Sequence, residues 1–363
     1  MYCELNREIF ADVLGSVAQI VPAKSAFPVY QNVLVEIVDG KLRLTGSDGD
    51  VILRKETKLE GKSKNGSALV KGHELANLVR QSPGEDVVIS GDENVVVTTG
   101  KLKASFLRFP PEEFPPFPEL PGEGPIEFPL ALLFEMFDLC SFAVSTDDSR
   151  PFLTSINWEI LKNESVMVAT DSYRLICVTR KTKSNTRAKL LVSPKVLNAL
   201  PRGEEKVRVF FDPKMVGFQL EDMTIIARMV EGPYPDYEKV IPKGYPNRAI
   251  VKRDELLAAA RRAAVIARPV GRQLSLEFKT GGVVVRAENP DLGKSEEELE
   301  CDYQGEQLNI GFNGNFLMEI LRHISSEKVE IENTSPMAPV LFQPAEKRSD
   351  AEDLFILMPI RLD

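Results

Sequence analysis

Apolar and polar positions alternate in three stretches that can be laid over one another: VEIVDGKLRLTGSD (Val35–Asp48), WEILKNESVMVATD (Trp158–Asp171) and LEFKTGGVVVRAEN (Leu276–Asn289). Each sets a glutamate (Glu36, Glu159, Glu277) between two large apolar residues. A polar turn with Gly or Asn follows, then an alternating run closed by a small polar pair. A period of two about a polar turn predicts a β-hairpin. A second set agrees: ALVKGHELANLV, LLVSPKVLNAL and IGFNGNFLMEIL, with Val70, Val192 and Phe312 in register. Each reads as a strand end, a small polar cap and an amphipathic helix. In the first copy the pattern predicts a helix over Glu8–Val17, a hairpin over Val33–Leu44 around Asp39-Gly40, and a helix over about His73–Gln81. Further strands bracket Gly91-Asp92 and Gly100-Lys101.

The chain therefore reads as three copies of an α+β unit of about 120 residues, too long for a solenoid repeat and the size of a domain. FPPEEFP and EGPYPDY mark the close of a unit. From Pro110 to Pro125, seven of sixteen residues are proline, which predicts a stiff, extended connector. A second connector, YEKVIPKGYPNR, runs from Tyr237 to Arg248. The expected domains are 1–120, 126–245 and 246–363.

Composition mainly excludes. With 43% hydrophobic and 27% charged residues, the 363-residue chain has the make-up of a soluble globular protein. No run approaches a membrane span, and MYCELNREIF lacks the basic start and apolar core of a signal peptide. Four cysteines (Cys3, Cys140, Cys177, Cys301) without CxxC spacing fit a reducing cytoplasm and no metal cluster. Two histidines leave little material for a catalytic dyad. No GxxxxGK[ST] loop or GxSxG elbow occurs, and the EEELE run on a strand would alternate between faces. No catalytic residue, metal or cofactor is expected. The net charge of −9 argues against indiscriminate nucleic-acid binding over the whole surface.

The threefold repeat, the ATDSYRL knot, EGPYPDYEKVIP and the terminal LMPIRL, in this order, resemble the bacterial DNA polymerase III beta subunit, the replicative sliding clamp, along essentially the full chain. The resemblance implies three similar clamp domains per chain, each with two helices packed on antiparallel sheets. It implies two chains joined head to tail in a closed ring, a homodimer around sequence-independent double-stranded DNA. Replicative polymerase and clamp loader would bind it through short peptides, with no membrane involved.

Lys252–Arg272 carries six basic and two acidic residues inside this acidic protein. At helical spacing Leu256, Ala259, Ala260, Ala263, Ile266 and Ala267 share one face, Arg261 and Arg268 the opposite one, with Arg262 beside them. On a ring-lining helix those arginines face phosphates; otherwise they are a solvated face. Lys195 and Arg202 on the equivalent helix of the middle unit, and Arg80 and Arg322 on the others, follow the same logic. The resemblance adds Lys24 and Arg150, the latter beside Asp147 and Asp148. Phosphate contacts without base reading permit sliding, and an acidic exterior repels stray nucleic acid.

TTGKLKASFLRF (Thr98–Phe109) sets Lys101, Lys103 and Ser105 on one face of a strand and Leu102, Ala104 and Phe106 on the other. LGKSEEELECDY (Leu292–Tyr303) carries Glu296, Glu297, Glu298 and Glu300. A basic edge strand in the first unit and an acidic edge strand in the third would close a dimer. Each exposed ion pair contributes only about 0–1 kcal/mol, so Phe106 and Leu299 should matter more.

The resemblance places Thr170, Ser172, Tyr173, Arg174 and Leu175 in a peptide-binding cleft. Its other wall is Leu153, Pro235, Lys239, Val240, Asn313, Phe316, Met337 and Pro339, with the terminus Leu357, Met358, Pro359, Ile360, Arg361 and Leu362. Pro359 should end the last strand and leave Met358 and Ile360 to line an adaptable surface. Arg174 either orients the corner or pairs with a peptide carboxylate, and Asp171 caps the turn. The family usually has Gly-His where this chain has Ser172-Tyr173. The alternative reading is a peptide-binding scaffold that does not encircle DNA.

Overall fold

The computed structural model describes residues 1–242, 244–267 and 272–362. They pack as two compact units, Met1–Leu133 with Val192–Val230, and Phe134–Leu191 with Glu231 onward, so the middle repeat contributes to each. Six α-helices occur among the described residues: α1 (Arg7–Ala18), α2 (Gly72–Gln81), α3 (Leu130–Cys140), α4 (Pro194–Ala199), α5 (Arg253–Ile266) and α6 (Gly314–His323).

In the first unit, α1 starts where the Asn6 side chain accepts from the Glu8 and Ile9 amides, and it buries Phe10, Val13, Leu14 and Val17. It lies so close to the strand Lys41–Ser47 that a Cβ on Gly46 would meet Val17 Cγ1 at 2.7 Å. The predicted hairpin forms from Asn32–Val38 and Lys41–Ser47, turning through Asp39 (φ 50°) and Gly40 (φ 73°). Two successive left-handed residues match the right-handed twist of the strands. Five strands form one sheet, in the order Ser63–Lys64, Tyr2–Asn6, Asp86–Gly91, Asn94–Thr99 and Leu102–Leu107. Eight form another, in which Met223–Arg228 of the middle repeat pairs with Val51–Lys58 of the first, Ile225 opposite Leu53. The proline-rich connector is docked rather than a free spacer. Phe114 is buried with Ile52, Leu69 and Ile226, Phe117 and Leu120 pack against that cluster, and Glu123–Pro129 joins the sheet beside Lys206–Phe211. Its aromatic residues, alternating with prolines, bury enough apolar surface to pin it down.

The second unit holds a sheet of twelve strands among the described residues. Arg174–Lys181 of the middle repeat pairs there with the final strand Ala351–Leu357, Ile176 opposite Phe355. The other two hairpins also form, Ile156–Ile160 with Glu164–Thr170 and Gln273–Lys279 with Gly282–Asn289. Helix α5 buries Leu256, Ala259, Ala260 and Ala263 as the periodicity predicts, and Leu257 and Ala264 besides. Helix α6 begins at Asn313, whose side chain accepts from the Asn315 amide.

The acidic strand Gly293–Gln304 is not a simple edge. Residues Gly293–Glu300 pair on one side with Gly282–Asn289, and Cys301–Gln304 then pair with Arg248–Val251. The strand changes partner midway, so only its first two-thirds keeps an open side. The basic strand Leu102–Leu107 lies at the edge of its sheet, pairing with Asn94–Thr99 on one side.

Candidate partner-binding cleft and nucleic-acid face

The ATDSYRL knot is a corner between the strands Glu164–Thr170 and Arg174–Lys181. Asp171 Oδ1 accepts from the amides of Tyr173 (2.9 Å) and Arg174 (3.0 Å), so it caps the turn as its residue type predicts. Thr170 Oγ1 accepts from the Ser172 amide at 3.1 Å and donates to the Arg174 carbonyl at 2.7 Å. Ser172 takes φ 78°, a left-handed conformation that suits glycine.

Arg174 is buried inside the corner. Its Nε donates to Asp171 Oδ2 (3.1 Å), Nη1 to Glu319 Oε2 (2.6 Å) and Nη2 to the Phe142 carbonyl (2.6 Å). The guanidinium also lies over the rings of Phe316 (4.4 Å) and Phe142 (5.0 Å). Every nitrogen is engaged by the chain itself, so Arg174 orients the corner, and the expectation of a bond to a peptide carboxylate gives way. Sequence reasoning missed Glu319 and Phe142; an unpaired arginine between apolar strands signals that such partners exist but not which they are.

Tyr173 stands 62% exposed, its ring stacked on Phe316 at 6.2 Å and 29°. The final strand ends at Leu357, before Pro359, and the chain continues along the same wall. The Met358 amide donates to the Tyr173 carbonyl (2.8 Å), and the Ile360 amide to the Gly311 carbonyl (2.8 Å). The Gln273 side chain donates to the Arg361 carbonyl at 3.2 Å. Met358, Pro359, Ile360 and Leu362 remain half-buried and Arg361 exposed, while Met337 is 59% exposed beside half-buried Pro339.

Other expected wall residues play different parts. Leu153, Thr170, Leu175 and Leu357 are buried, with Leu357 opposite Arg174. Asn313 spends its side-chain oxygen capping α6. Pro235, Lys239 and Val240 are exposed on a segment pinned from beneath by Tyr234, whose hydroxyl donates to the Val168 carbonyl at 3.2 Å. Lys239 pairs with Asp236 at 2.7 Å.

Among the expected DNA-facing residues, Lys24, Arg80, Arg202 and Arg261 are exposed. Three others carry intrachain partners. Lys195 Nζ is bound by the Asp48 carboxylate and donates to the Ile20 carbonyl at 3.1 Å, which draws it away from solvent. Arg262 makes a two-pronged pair with Glu297, Nε to Oε2 at 2.8 Å and Nη2 to Oε1 at 2.5 Å, a geometry that favours planar recognition over a mobile phosphate. Arg262 thereby holds the Glu297 carboxyl below its usual range. Arg150 donates to Asp147 (3.0 Å) and to Ser172 Oγ (2.8 Å). Arg268 lies outside the described residues.

On the expected dimer strands, Lys101 and Lys103 are exposed and Phe106 half-buried. Glu296, Glu298 and Glu300 are exposed, but Glu296 pairs with Arg286 (2.9 Å) and Glu298 with Lys279 (2.9 Å). Leu299 is only 9% exposed in the single chain, so it has little further surface to bury. Leu107, at the end of the basic strand, and Val265, one turn beyond Arg262 on α5, are each 73% exposed. Leu107 was readable as the next residue of that strand, whereas Val265 carried no signal apart from lying off the alanine face.

Three family models match in succession: the N-terminal (residues 1–118), central (128–236) and C-terminal (238–361) domains of the DNA polymerase III beta subunit. The chain belongs to the DNA polymerase III beta subunit family. It is 27% identical to the beta sliding clamp of Staphylococcus aureus, with 98% of each chain covered. Among solved structures it resembles the DNA polymerase III beta subunit of Pseudomonas aeruginosa (27% identity, TM-score 0.93) and that of Thermotoga maritima (26% identity, TM-score 0.93), each over the whole of both chains. A Pseudomonas aeruginosa sliding clamp bound to griselimycin is matched equally well, at 27% identity, TM-score 0.93 and 100% of both chains.

Proposed function

We propose that this chain is a non-catalytic DNA sliding clamp. Two copies pair head to tail as a homodimeric ring around duplex DNA, each with clamp domains at 1–120, 126–245 and 246–363. Replicative polymerase, clamp loader and other replication or repair proteins dock through short linear peptides at the Tyr173–Phe316 wall. The observation that carries this reading is the full-length likeness to solved clamps, 100% of both chains at TM-score 0.93. The open edges of Leu102–Leu107 and Gly293–Glu300 support the pairing, because an exposed strand edge seeks a partner. Exposed Lys24, Arg80 and Arg261 would supply phosphate-facing charge. Four buried free thiols support a cytoplasmic setting. Among the described residues, no helix is long and apolar enough to cross a membrane.

Primer extension by a bacterial polymerase III core with its clamp loader tests the tethering role. The length synthesised per binding event should rise by at least about tenfold when the chain is added, the gain a tether gives through effective concentration. Unchanged product length contradicts tethering, and turnover of nucleotide by the purified chain alone contradicts the non-catalytic reading. The intrachain pairing of Lys195 and Arg262 favours the alternative, a peptide-binding scaffold that does not encircle DNA, because it thins the basic lining.

A further inference from the structure

We infer that Arg150 is a positioning residue of the peptide cleft, holding Ser172 in a left-handed conformation and thereby fixing Tyr173 and the terminal segment. The inference deepens the cleft reading above and rests on it. Ser172 is one of three described non-glycine residues at positive φ, and it stands at the exposed tip of the corner. A side chain with a Cβ persists there only where its surroundings over-determine it. The strand-end bonds of Thr170 and Asp171 fix the corner from one side. Arg150 fixes it from the other, Nη1 donating to Ser172 Oγ at 2.8 Å.

The guanidinium is itself oriented from behind. Arg150 Nε donates to Asp147 Oδ2 at 3.0 Å, and Asp147 Oδ1 accepts from the Ser149 amide (3.0 Å) and hydroxyl (2.6 Å). Beyond Ser172, the Tyr173 ring stacks on Phe316 while the Tyr173 carbonyl receives the Met358 amide. Rotation of Ser172 out of φ 78° would swing the following peptide unit, and with it both the aromatic wall and the anchor of the last five described residues. A glycine at this position would hold the conformation unaided and offer no Oγ. The bond is thus a device suited to a serine-bearing corner, and it occupies an arginine that sequence reasoning assigned to DNA.

A double-mutant cycle in the full-length protein tests this with two readouts: affinity for griselimycin, the ligand of the Pseudomonas aeruginosa relative, and hydrogen exchange of the Met358 amide, which needs no ligand. Arg150→Ala should weaken griselimycin binding and speed Met358 exchange, each by about fivefold to tenfold, the scale of one lost hydrogen bond at an exposed site. Ser172→Gly, which supplies the left-handed conformation without the bond, serves as the reference background, and Arg150→Ala added to it should have no further effect on either readout. A loss that persists in the glycine background overturns the inference, because Arg150 then acts by direct contact or by charge. Unchanged exchange and affinity in Arg150→Ala also overturn it. A wild-type protein that does not bind griselimycin counts against the cleft reading, while Met358 exchange still decides the role of Arg150.

Discussion

A chain truncated after Leu357 loses measurable binding of a polymerase-derived linear peptide in fluorescence anisotropy, a weakening of at least about a hundredfold, as expected when the anchors at the centre of an interface are removed. Its sedimentation should match that of the full-length chain. The asymmetry follows from where the strand stops. Ile356 and Leu357 are fully buried and stay in the ladder opposite Leu175 and Arg174, so the sheet keeps its register. The residues after them are half-exposed and are held mainly through two backbone bonds, Met358 to Tyr173 and Ile360 to Gly311. They contribute little to the core and much of the apolar surface that a short extended peptide could cover. Unchanged peptide affinity in the truncated chain would remove the terminus from the site.

Reversing two charges at the other proposed surface, Lys101→Glu with Lys103→Glu, weakens the dimer by about thirtyfold, or on the order of 2 kcal/mol. Each exposed pair contributes about 0–1 kcal/mol, and each reversal both removes an attraction and adds a repulsion of similar size. The effect is no larger because Glu296 and Glu298 already share their charge with Arg286 and Lys279. Glu300, exposed and without an ion pair among the described residues, should feel the reversal most. High salt should narrow the difference between the variant and the wild type, since screening acts on exposed charges first. Sedimentation showing an unaltered dimer at nanomolar concentration would contradict the proposed edge pairing.

Local pattern carried much of the fold. The helix expected over Glu8–Val17 forms as Arg7–Ala18, and the one over His73–Gln81 as Gly72–Gln81. The Asp39-Gly40 turn forms where its residues demand left-handed φ. These features depend on neighbours within a few positions, which a sequence displays directly. The corner was legible for the same reason, since Asp171 caps residues two and three places on.

What escaped was long-range. Arg174 meets Glu319 and Phe142, Lys195 meets Asp48, and Arg262 meets Glu297. No periodicity announces which carboxylate a basic side chain will find across a fold. The intrachain partners of Lys195 and Arg262 were therefore invisible in the sequence. The partner change within Gly293–Gln304 was hidden too, because strand alternation gives the faces of a strand and not its neighbours. Proline content predicts an extended Pro110–Pro125 connector, but Pro111–Glu113 forms a short 3-10 turn and the phenylalanines among the prolines dock the segment against Ile52, Leu69 and Ile226.

Retention on DNA separates encirclement from adhesion most directly. Protein loaded onto a nicked circular plasmid and then passed through a sizing column at moderate salt should remain with the DNA, and should leave it when the same plasmid is cut once. A closed ring around a duplex escapes only over an end, whereas charge-mediated binding depends on salt and not on topology. Equal release from circular and linear DNA would contradict the ring and leave a peptide-binding scaffold in its place.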